Sequence, residues 1–142
     1  QPGYGSYLGL VPEISASQDV TMSPQVARAL EEDRTIDITT VGRKTGQLRR
    51  NEIWFHSLEG RLFITGLPGT RDWYANLVAH PEFTFHLKES VKTDLPALAT
   101  PVTDELQRRE IISAIHRNLE WDRDVEEWVT NSPLVEVKLL PE

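Results

Sequence analysis

The sequence of 142 residues is 39% hydrophobic and 26% charged, which is the size and composition of one globular domain with a substantial hydrophobic core. Its net charge of −7 argues against general binding to nucleic acid, and no apolar run is long enough to form a membrane-spanning helix. Because the chain contains no cysteine, disulfides, thiolate catalysis and cysteine-ligated metals are excluded.

The first part of the chain, residues 1–21, is rich in glycine and proline. We expect it to form an irregular arm that packs on the body through its tyrosine and leucine side chains. It lacks the charged start and the apolar run of a secretion signal, so we expect a cytoplasmic protein. Residues 22–142 are predicted to form a single domain.

Three or four helices are predicted in this domain, the segment at 122–130 being the open one. Ser23 followed by Pro24 marks the first, since serine caps free helix amides and proline fits the first turn. Pro81 should end the second, because the residue before a proline disfavours the helical conformation. An apolar stripe at helical spacing predicts the third. The predicted helices lie at 24–33, 71–79, 104–119 and 122–130.

Six strands are predicted from β-branched runs and from alternating apolar and polar positions. They lie at 35–41, 47–57, 61–65, 82–87, 91–102 and 134–139. Pro96 and Pro101 are expected to break the fifth strand, because proline lacks the N–H that a sheet ladder uses. Short strands joined mostly by tight turns favour an α+β fold: an antiparallel β-barrel with an N-terminal helix, a short inserted helix and a C-terminal helical segment.

A basic turn between the first two strands is the first candidate site. Arg43, Lys44, Arg49 and Arg50 place four cations within eight residues, and a glycine stands at each end of the turn. In a hairpin Arg49 points to one face and Arg50 to the other, so Arg49 and the tip together suit a phosphate or a carboxylate. The alternative is a solvated hairpin tip, and charge alone leaves both interpretations open.

The second candidate is the loop over residues 66–69 and the helix after it. The loop is short and rich in glycine and proline, so a flat ligand can approach its backbone. Thr70 is predicted to cap the helix and leave its first amides for an anion or a ring carbonyl. Trp73 offers an apolar surface to a ring, or else faces the core together with Leu77. Asn76 is interpreted as a satisfied structural amide.

The histidines and serines indicate no familiar catalytic or metal site. The four histidines lack metal-ligand spacing, so no metal is expected. His56 shares a strand face with Trp54, where it is either a pocket residue or an ordinary half-exposed strand residue. Ser57 and Ser132 lack the context of a nucleophile elbow, which argues against a hydrolase triad.

Two segments taken together resemble one known family. They read TTVGRKTGQLR from Thr39 and LFITGLPGTRDWYANLVAHPEFTFHL from Leu62, within a match over residues 35–87. This pattern resembles the deazaflavin-dependent nitroreductase-like family, the split β-barrel oxidoreductases that use coenzyme F-420. The resemblance implies a split β-barrel fold and a hydride carried by a deazaflavin ring.

The resemblance also implies which residues bind the cofactor. Its phosphate and acidic tail would be held by Arg43, Lys44, Thr45 and Arg49. Its ring would lie along Thr65, Gly66, Leu67, Pro68, Gly69 and the helix start near Trp73. Catalytic residues are not identified by the match, and His56 and Tyr74 are the candidates for donating a proton.

The activity implied is hydride transfer from reduced coenzyme F-420 to a small apolar acceptor: a quinone, an activated alkene or a nitro compound. Two departures argue against nitroreduction. Asn51 and Glu52 replace a proline and a leucine common in the family, and no tyrosine follows Tyr74. Barrels of this kind often pair, so a homodimer is expected.

Other functions remain open at this point. A split barrel also suits flavin mononucleotide (FMN), in which case the basic turn would hold a single phosphate. A non-catalytic deazaflavin carrier or sensor would bind the cofactor without turnover. An interaction domain with a degenerate site would bind neither cofactor.

Overall fold

Six strands form a closed antiparallel barrel in the computed structural model, which describes residues 22–141. The strands are β1 (Thr35–Val41), β2 (Leu48–Leu58), β3 (Arg61–Thr65), β4 (Glu82–Leu87), β5 (Thr93–Pro101) and β6 (Leu134–Leu139). Their order around the barrel is β1, β2, β3, β6, β5 and β4, and β4 pairs with β1 to close it. The predicted six-stranded antiparallel barrel is therefore confirmed. The predicted N-terminal arm lies outside the described residues.

Four helices accompany the barrel in this part of the chain. They are α1 (Pro24–Glu32), α2 (Asp72–Ala79), α3 (Glu105–Leu119) and α4 (Val125–Asn131). The side-chain oxygen of Ser23 accepts a hydrogen bond from the amide of Val26, which confirms the predicted cap of α1. Asp104 and Asp124 cap α3 and α4 in the same way. None of these helices is long and apolar enough to cross a membrane.

The prediction that Pro96 breaks the fifth strand is wrong. β5 continues through it, and Pro96 pairs with Thr84 of β4. The ladder accommodates this proline because it uses the carbonyl oxygen, which accepts a 2.8 Å hydrogen bond from the amide of Leu140. Pro101 is the last residue of β5, so it ends the strand and does not interrupt it.

The barrel interior is filled by alternate residues of the strands. Its fully buried members include Ile36, Ile38, Phe55, Ile64, Phe85 and Val135. The rings of Phe55 and Phe85 meet edge to face with their centroids 5.2 Å apart. Trp73 and Leu77 of α2 belong to the same core. This helix therefore packs against β1, which leads into the basic turn, and against β5.

A second hydrophobic core lies outside the barrel, where α3 and α4 cover Phe63 of β3. Two histidines are buried beside it, His56 at 8% exposure and His116 at 3%. The ring of Trp121 lies against both, at centroid distances of 6.5 and 5.2 Å. The expectation of a half-exposed His56 is therefore wrong, because the segment from α3 to α4 folds over the outer face of β2.

Burial keeps both histidines neutral at pH 7. It lowers the pKa of His56 to about 4, with smaller contributions from the charge of Arg34 and from His116. Burial also lowers the pKa of His116, and the positive charge of Arg123 adds to this effect. Within residues 22–141 no hydrogen-bond partner reaches either ring nitrogen of His116.

The strand order brings three connections to one end of the barrel, called here the upper end. The carboxyl ends of β1, β3 and β5 lie there beside the amino ends of β2, β4 and β6, because neighbouring strands are antiparallel. The connections at this end are residues 42–47, 66–81 and 102–133. Both segments that carry the resemblance therefore reach the same end of the molecule.

We expect the protein to lose stability as the pH falls from 7 to 5. A histidine whose folded-state pKa lies below its unfolded value binds protons more readily when unfolded, so protonation favours unfolding. The stability is complete above the unfolded pKa and is lost as the pH falls toward the folded pKa of about 4. His56 alone should lower the free energy of unfolding by about 2 kcal/mol at pH 5.

Guanidinium unfolding at pH 7.5 and pH 5, followed by tryptophan fluorescence, measures this loss. His56→Gln should reduce the difference between the two pH values, since glutamine does not titrate. His80→Gln is the matched control, because His80 is exposed and follows α2. An identical pH dependence in the wild type and in His56→Gln would contradict the interpretation.

Candidate functional site

The basic turn, residues 42–47, is closed by its own hydrogen bonds. The amide of Gly42 donates to the carbonyl oxygen of Gln47 at 2.7 Å, and the amide of Gly46 donates to that of Gly42 at 2.8 Å. The hydroxyl oxygen of Thr45 accepts from the amide of Gln47 at 3.1 Å. Gly46 has a φ of +75°, which glycine adopts at little cost. These internal bonds hold the turn in shape.

Asn76 of α2 fastens this turn to the barrel. Its Oδ1 accepts hydrogen bonds from the backbone amide of Arg43 at 3.0 Å and from Nη1 of the same residue at 3.1 Å. Its Nδ2 donates to Oγ1 of Thr40 at 3.4 Å. Asn76 is buried and Thr40 is fully buried, so water competes little for these bonds. The prediction of a satisfied structural amide at Asn76 is confirmed.

A cleft of about 640 Å³ opens between the basic turn, the start of β2 and α2. Its lining includes Arg43, Lys44, Thr45, Leu48, Arg49, Arg50, Asn51, Asp72 and Asn76. Four cations thus face one carboxylate, and that carboxylate pairs with the guanidinium of Arg43 at 3.5 Å. Such a cleft attracts anions, because guanidinium groups and ammonium groups offer charge-assisted hydrogen bonds to them.

Arg49 and Arg50 point to opposite faces of β2, as predicted. Arg49 lies opposite Thr40, on the face of β2 that meets α2. Arg50 lies on the outer face, where its Nε donates to Asp37 at 2.9 Å. Lys88 joins the same carboxylate, and with Arg50 it lowers the pKa of Asp37. The charge of Arg50 is therefore largely balanced by a neighbour.

Lys44 and Arg49 are the two cations of the cleft that remain available to a ligand. Neither forms an ion pair with any other part of residues 22–141. A methyl group at Gly42 would lie 3.0 Å from Oγ1 of Thr45 and 3.1 Å from the carbonyl oxygen of Gln47. Glycine at position 42 therefore leaves room for the closed turn.

The loop over residues 66–69 rests on the junction between α4 and β6. The amide of Gly69 donates to the carbonyl oxygen of Asn131 at 3.0 Å. The buried hydroxyl of Thr65 donates to the carbonyl oxygen of Pro133 at 2.6 Å. The loop lies at the upper end of the barrel, beside the basic cleft and not among its lining residues.

Two expectations for the helix after this loop are corrected. Thr70 is not its cap, because Arg71 still has an extended backbone (φ −140°, ψ 136°) and α2 begins at Asp72. Trp73 is only 8% exposed and packs in the barrel core, which favours the core interpretation over a ring platform. Leu67, at 53% exposure, is the apolar side chain that the loop presents to solvent.

The candidate proton donors lie in different places. Tyr74 is half-buried on α2, but it is not among the residues that line the basic cleft, because it stands two residues from both Asp72 and Asn76 and so lies on the other side of the helix. His56 lies eight residues beyond Leu48 on β2, which is about 26 Å at the usual rise of a strand. His56 is also enclosed by the outer core. The structure therefore does not bring His56 to the cleft.

Sequence reasoning missed several residues of this end of the molecule. Leu48, Asn51 and Asp72 line the cleft, and Arg108 of α3 holds the junction on which the loop rests. A signal existed for Asp72 alone, since it stands one helical turn before Asn76. Among residues 22–141, no group of three potential metal ligands comes together.

Solved structures share this fold at low sequence identity. The conserved hypothetical protein Rv2991 from Mycobacterium tuberculosis gives a TM-score of 0.67 at 15% identity, covering 89% of this chain and 86% of that chain. An F420 reductase gives 0.60 at 17% identity, covering 80% and 91%. A FAD-binding protein from Mesorhizobium loti gives 0.58 at 14% identity, covering 80% and 86%. These likenesses place the chain in the class of split β-barrel proteins.

A family comparison then gives the particular group. The F420H(2)-dependent quinone reductase family matches residues 14–137, which include the basic turn, the loop and all four helices. The chain belongs to this family. It is a deazaflavin-dependent oxidoreductase, and its cofactor is coenzyme F-420. The resemblance found in the sequence is thereby confirmed.

The residues of the cleft fit this cofactor. A deazaflavin with a phosphate and an acidic tail carries several negative charges, and the turn presents cations on a backbone that its own hydrogen bonds hold in shape. Lys44 and Arg49 add two cations, neither of which forms an ion pair within residues 22–141. The donor set therefore suits a polyanionic tail.

We expect Asn76→Ala to destabilise the protein by about 2–3 kcal/mol, because it leaves the buried hydroxyl of Thr40 and the amide of Arg43 without their partner. Chemical denaturation at pH 7.5 measures the loss. Asn118→Ala on the exposed side of α3 is the control and should cost less than about 1 kcal/mol. Equal stabilities of the two variants would show that Asn76 does not fasten the turn.

Proposed function

We propose that the protein transfers a hydride from reduced coenzyme F-420 to a small, largely apolar acceptor, with a quinone as the first candidate. The observation that carries this proposal is the basic cleft, in which a preformed turn presents Lys44 and Arg49 beside α2. Membership of a quinone reductase family supports the choice of acceptor.

Lys44 and Arg49 would hold the phosphate and the acidic tail of the cofactor. Arg49 offers a planar fork of donors, and Lys44 offers a mobile point charge at the tip of the turn. Thr45 contributes by shaping the turn, since its hydroxyl oxygen accepts a hydrogen bond from the amide of Gln47. Arg43 has a mainly structural part, because Asn76 and Asp72 engage its backbone and guanidinium.

The ring of the cofactor would lie along the loop from Thr65 to Gly69. Three observations support this placement: the loop and the cleft share the upper end of the barrel, Leu67 presents an exposed apolar side chain, and the loop is held to the junction of α4 and β6. Trp73 would support the ring from within the core, without forming the contact surface.

When bound, the reduced deazaflavin supplies the hydride, so the protein needs no nucleophile of its own. The work of the chain is to orient the ring toward the acceptor and to exclude water. Reduction of the acceptor also consumes a proton. Tyr74 is the proposed donor, because it is half-buried on α2, the helix that follows the loop, whereas His56 is enclosed by the outer core.

The competing functions differ in which cofactor binds and whether turnover follows. A flavin-binding split barrel is the main alternative, since a FAD-binding protein shares the fold. A carrier or sensor would bind the deazaflavin without turnover. A homodimer is also proposed, as expected for barrels of this kind, and so is the cytoplasmic location that the sequence led us to expect.

The deciding experiment titrates the purified protein with coenzyme F-420 and with FMN, following cofactor fluorescence, and then measures oxidation of the reduced coenzyme by menadione, a quinone. Micromolar binding of coenzyme F-420 with quinone-dependent turnover supports the proposal. Tighter binding of FMN favours the flavin alternative. Binding without turnover of any acceptor favours the carrier.

We predict that the double variant Lys44→Gln/Arg49→Gln binds coenzyme F-420 more than about tenfold more weakly and with a smaller dependence on salt, because two charge-assisted contacts are lost. Fluorescence titration at 50 and 300 mM salt measures both effects. The control Lys92→Gln/Arg117→Gln removes the same charge at exposed positions outside the cleft. Equal weakening in the control would mean that overall charge, and not the turn, attracts the ligand.

A further inference from the structure

Arg108 of α3 forms hydrogen bonds to the segment against which the loop over residues 66–69 packs. Its guanidinium donates four hydrogen bonds, all of them to main-chain carbonyl oxygens. The acceptors are Val102 at 2.9 Å, Trp128 at 3.4 Å, Val129 at 2.7 Å and Ser132 at 2.5 Å. Three of the four lie at the carboxyl end of α4, where the carbonyl oxygens of a helix carry negative partial charge.

An arginine is specifically suited to this position. Its planar fork reaches several acceptors at once, whereas the ammonium group of a lysine donates from a single atom. Burial lowers the pKa of Arg108, and the four carbonyl oxygens offset the water that the guanidinium has lost. The fork thereby fixes the end of β5, the end of α4 and the start of β6 relative to one another.

The same segment supplies the acceptors of the loop. The carbonyl oxygens of Asn131 and Pro133, which accept hydrogen bonds from the amide of Gly69 and the hydroxyl of Thr65, lie on either side of Ser132, which Arg108 holds. Gly66 also approaches this segment, since a methyl group there would lie 3.8 Å from the ring of Pro133. The position of the loop is therefore set by a junction that Arg108 organises.

We propose that Arg108 is a positioning residue for the ring of the bound cofactor: it fixes the junction of α4 and β6, and the junction fixes the loop along which the ring lies. This inference rests on the proposed function, because it takes the loop as the ring site. The basic turn holds the tail through α2 and not through this junction. Loss of Arg108 should therefore disturb the orientation of the ring and leave the grip on the tail largely intact.

The test compares Arg108→Lys with Arg109→Lys. Arg109 is the neighbouring arginine on α3, and it pairs with Glu105 and Glu126 without touching the junction. Thr65→Val is a second variant, which loosens the loop from the other side and decides the question if Arg108→Lys does not fold. Each protein is examined for amide exchange at Gly69, for the dissociation constant and emission of bound coenzyme F-420, and for kcat with menadione.

In Arg108→Lys we expect exchange at Gly69 to be about tenfold faster, because its acceptor becomes mobile. We expect kcat to fall about tenfold with an altered emission of the bound ring, while the dissociation constant changes less than about threefold. Thr65→Val should show the same pattern. Arg109→Lys should match the wild type in all three measurements.

Each of the other outcomes would contradict one particular step of the inference. Unchanged exchange at Gly69 in both variants would show that Arg108 does not position the loop. Faster exchange with normal emission and kcat would show that the loop does not position the ring. Failure of the wild type to bind coenzyme F-420 would sink the proposed function, and the ring role with it, whereas exchange would still decide whether Arg108 fixes the loop.

Discussion

The contact between Asn76 and the basic turn is the interaction on which the candidate site depends. One buried amide group joins the backbone of Arg43, its guanidinium and the hydroxyl of Thr40, and so links α2 to both the tip and the end of β1. A turn carrying several cations would otherwise repel itself and sample many conformations. Because Arg43 is committed to this contact, Lys44 and Arg49 can remain directed to a ligand. In the proposed function, the charge that attracts the cofactor and the charge that holds the turn are thus carried by different residues.

The two hydrophobic cores support different parts of the molecule. The inner core closes the barrel and receives α2, so it supports the end that carries the cleft. The outer core under α3 and α4 encloses His56 and His116 and lies against the outer face of β2 and β3. Arg108 connects the two regions, since it belongs to the helix over the outer core and holds the carbonyls beneath the loop. The outer helices therefore influence the loop through hydrogen bonds from Arg108 to main-chain carbonyl oxygens.

Much of the fold could be predicted because its signals are local. The alternation of apolar and polar residues predicted the six strands, and Ser23 followed by Pro24 predicted the start of α1. Because successive side chains of a strand point to opposite faces, Arg49 and Arg50 were correctly predicted to lie on different faces of β2. The errors have one cause, which is tertiary contact overriding a local preference. Pro96 remains within β5 because a neighbouring chain segment uses only its carbonyl oxygen. His56 is buried because a segment some sixty residues later in the chain covers it.

The sequence by itself determined the chemistry of the site: the four cations, the glycines that shape the turn and the family to which they belong. It did so because turn geometry and charge are properties of adjacent residues. Only the tertiary structure decided which of those cations stay available, that Trp73 serves the core, and that Arg108 underlies the loop. Those choices depend on distances between residues remote in sequence, and these distances are fixed only when antiparallel pairing closes the barrel and brings three connections to one end.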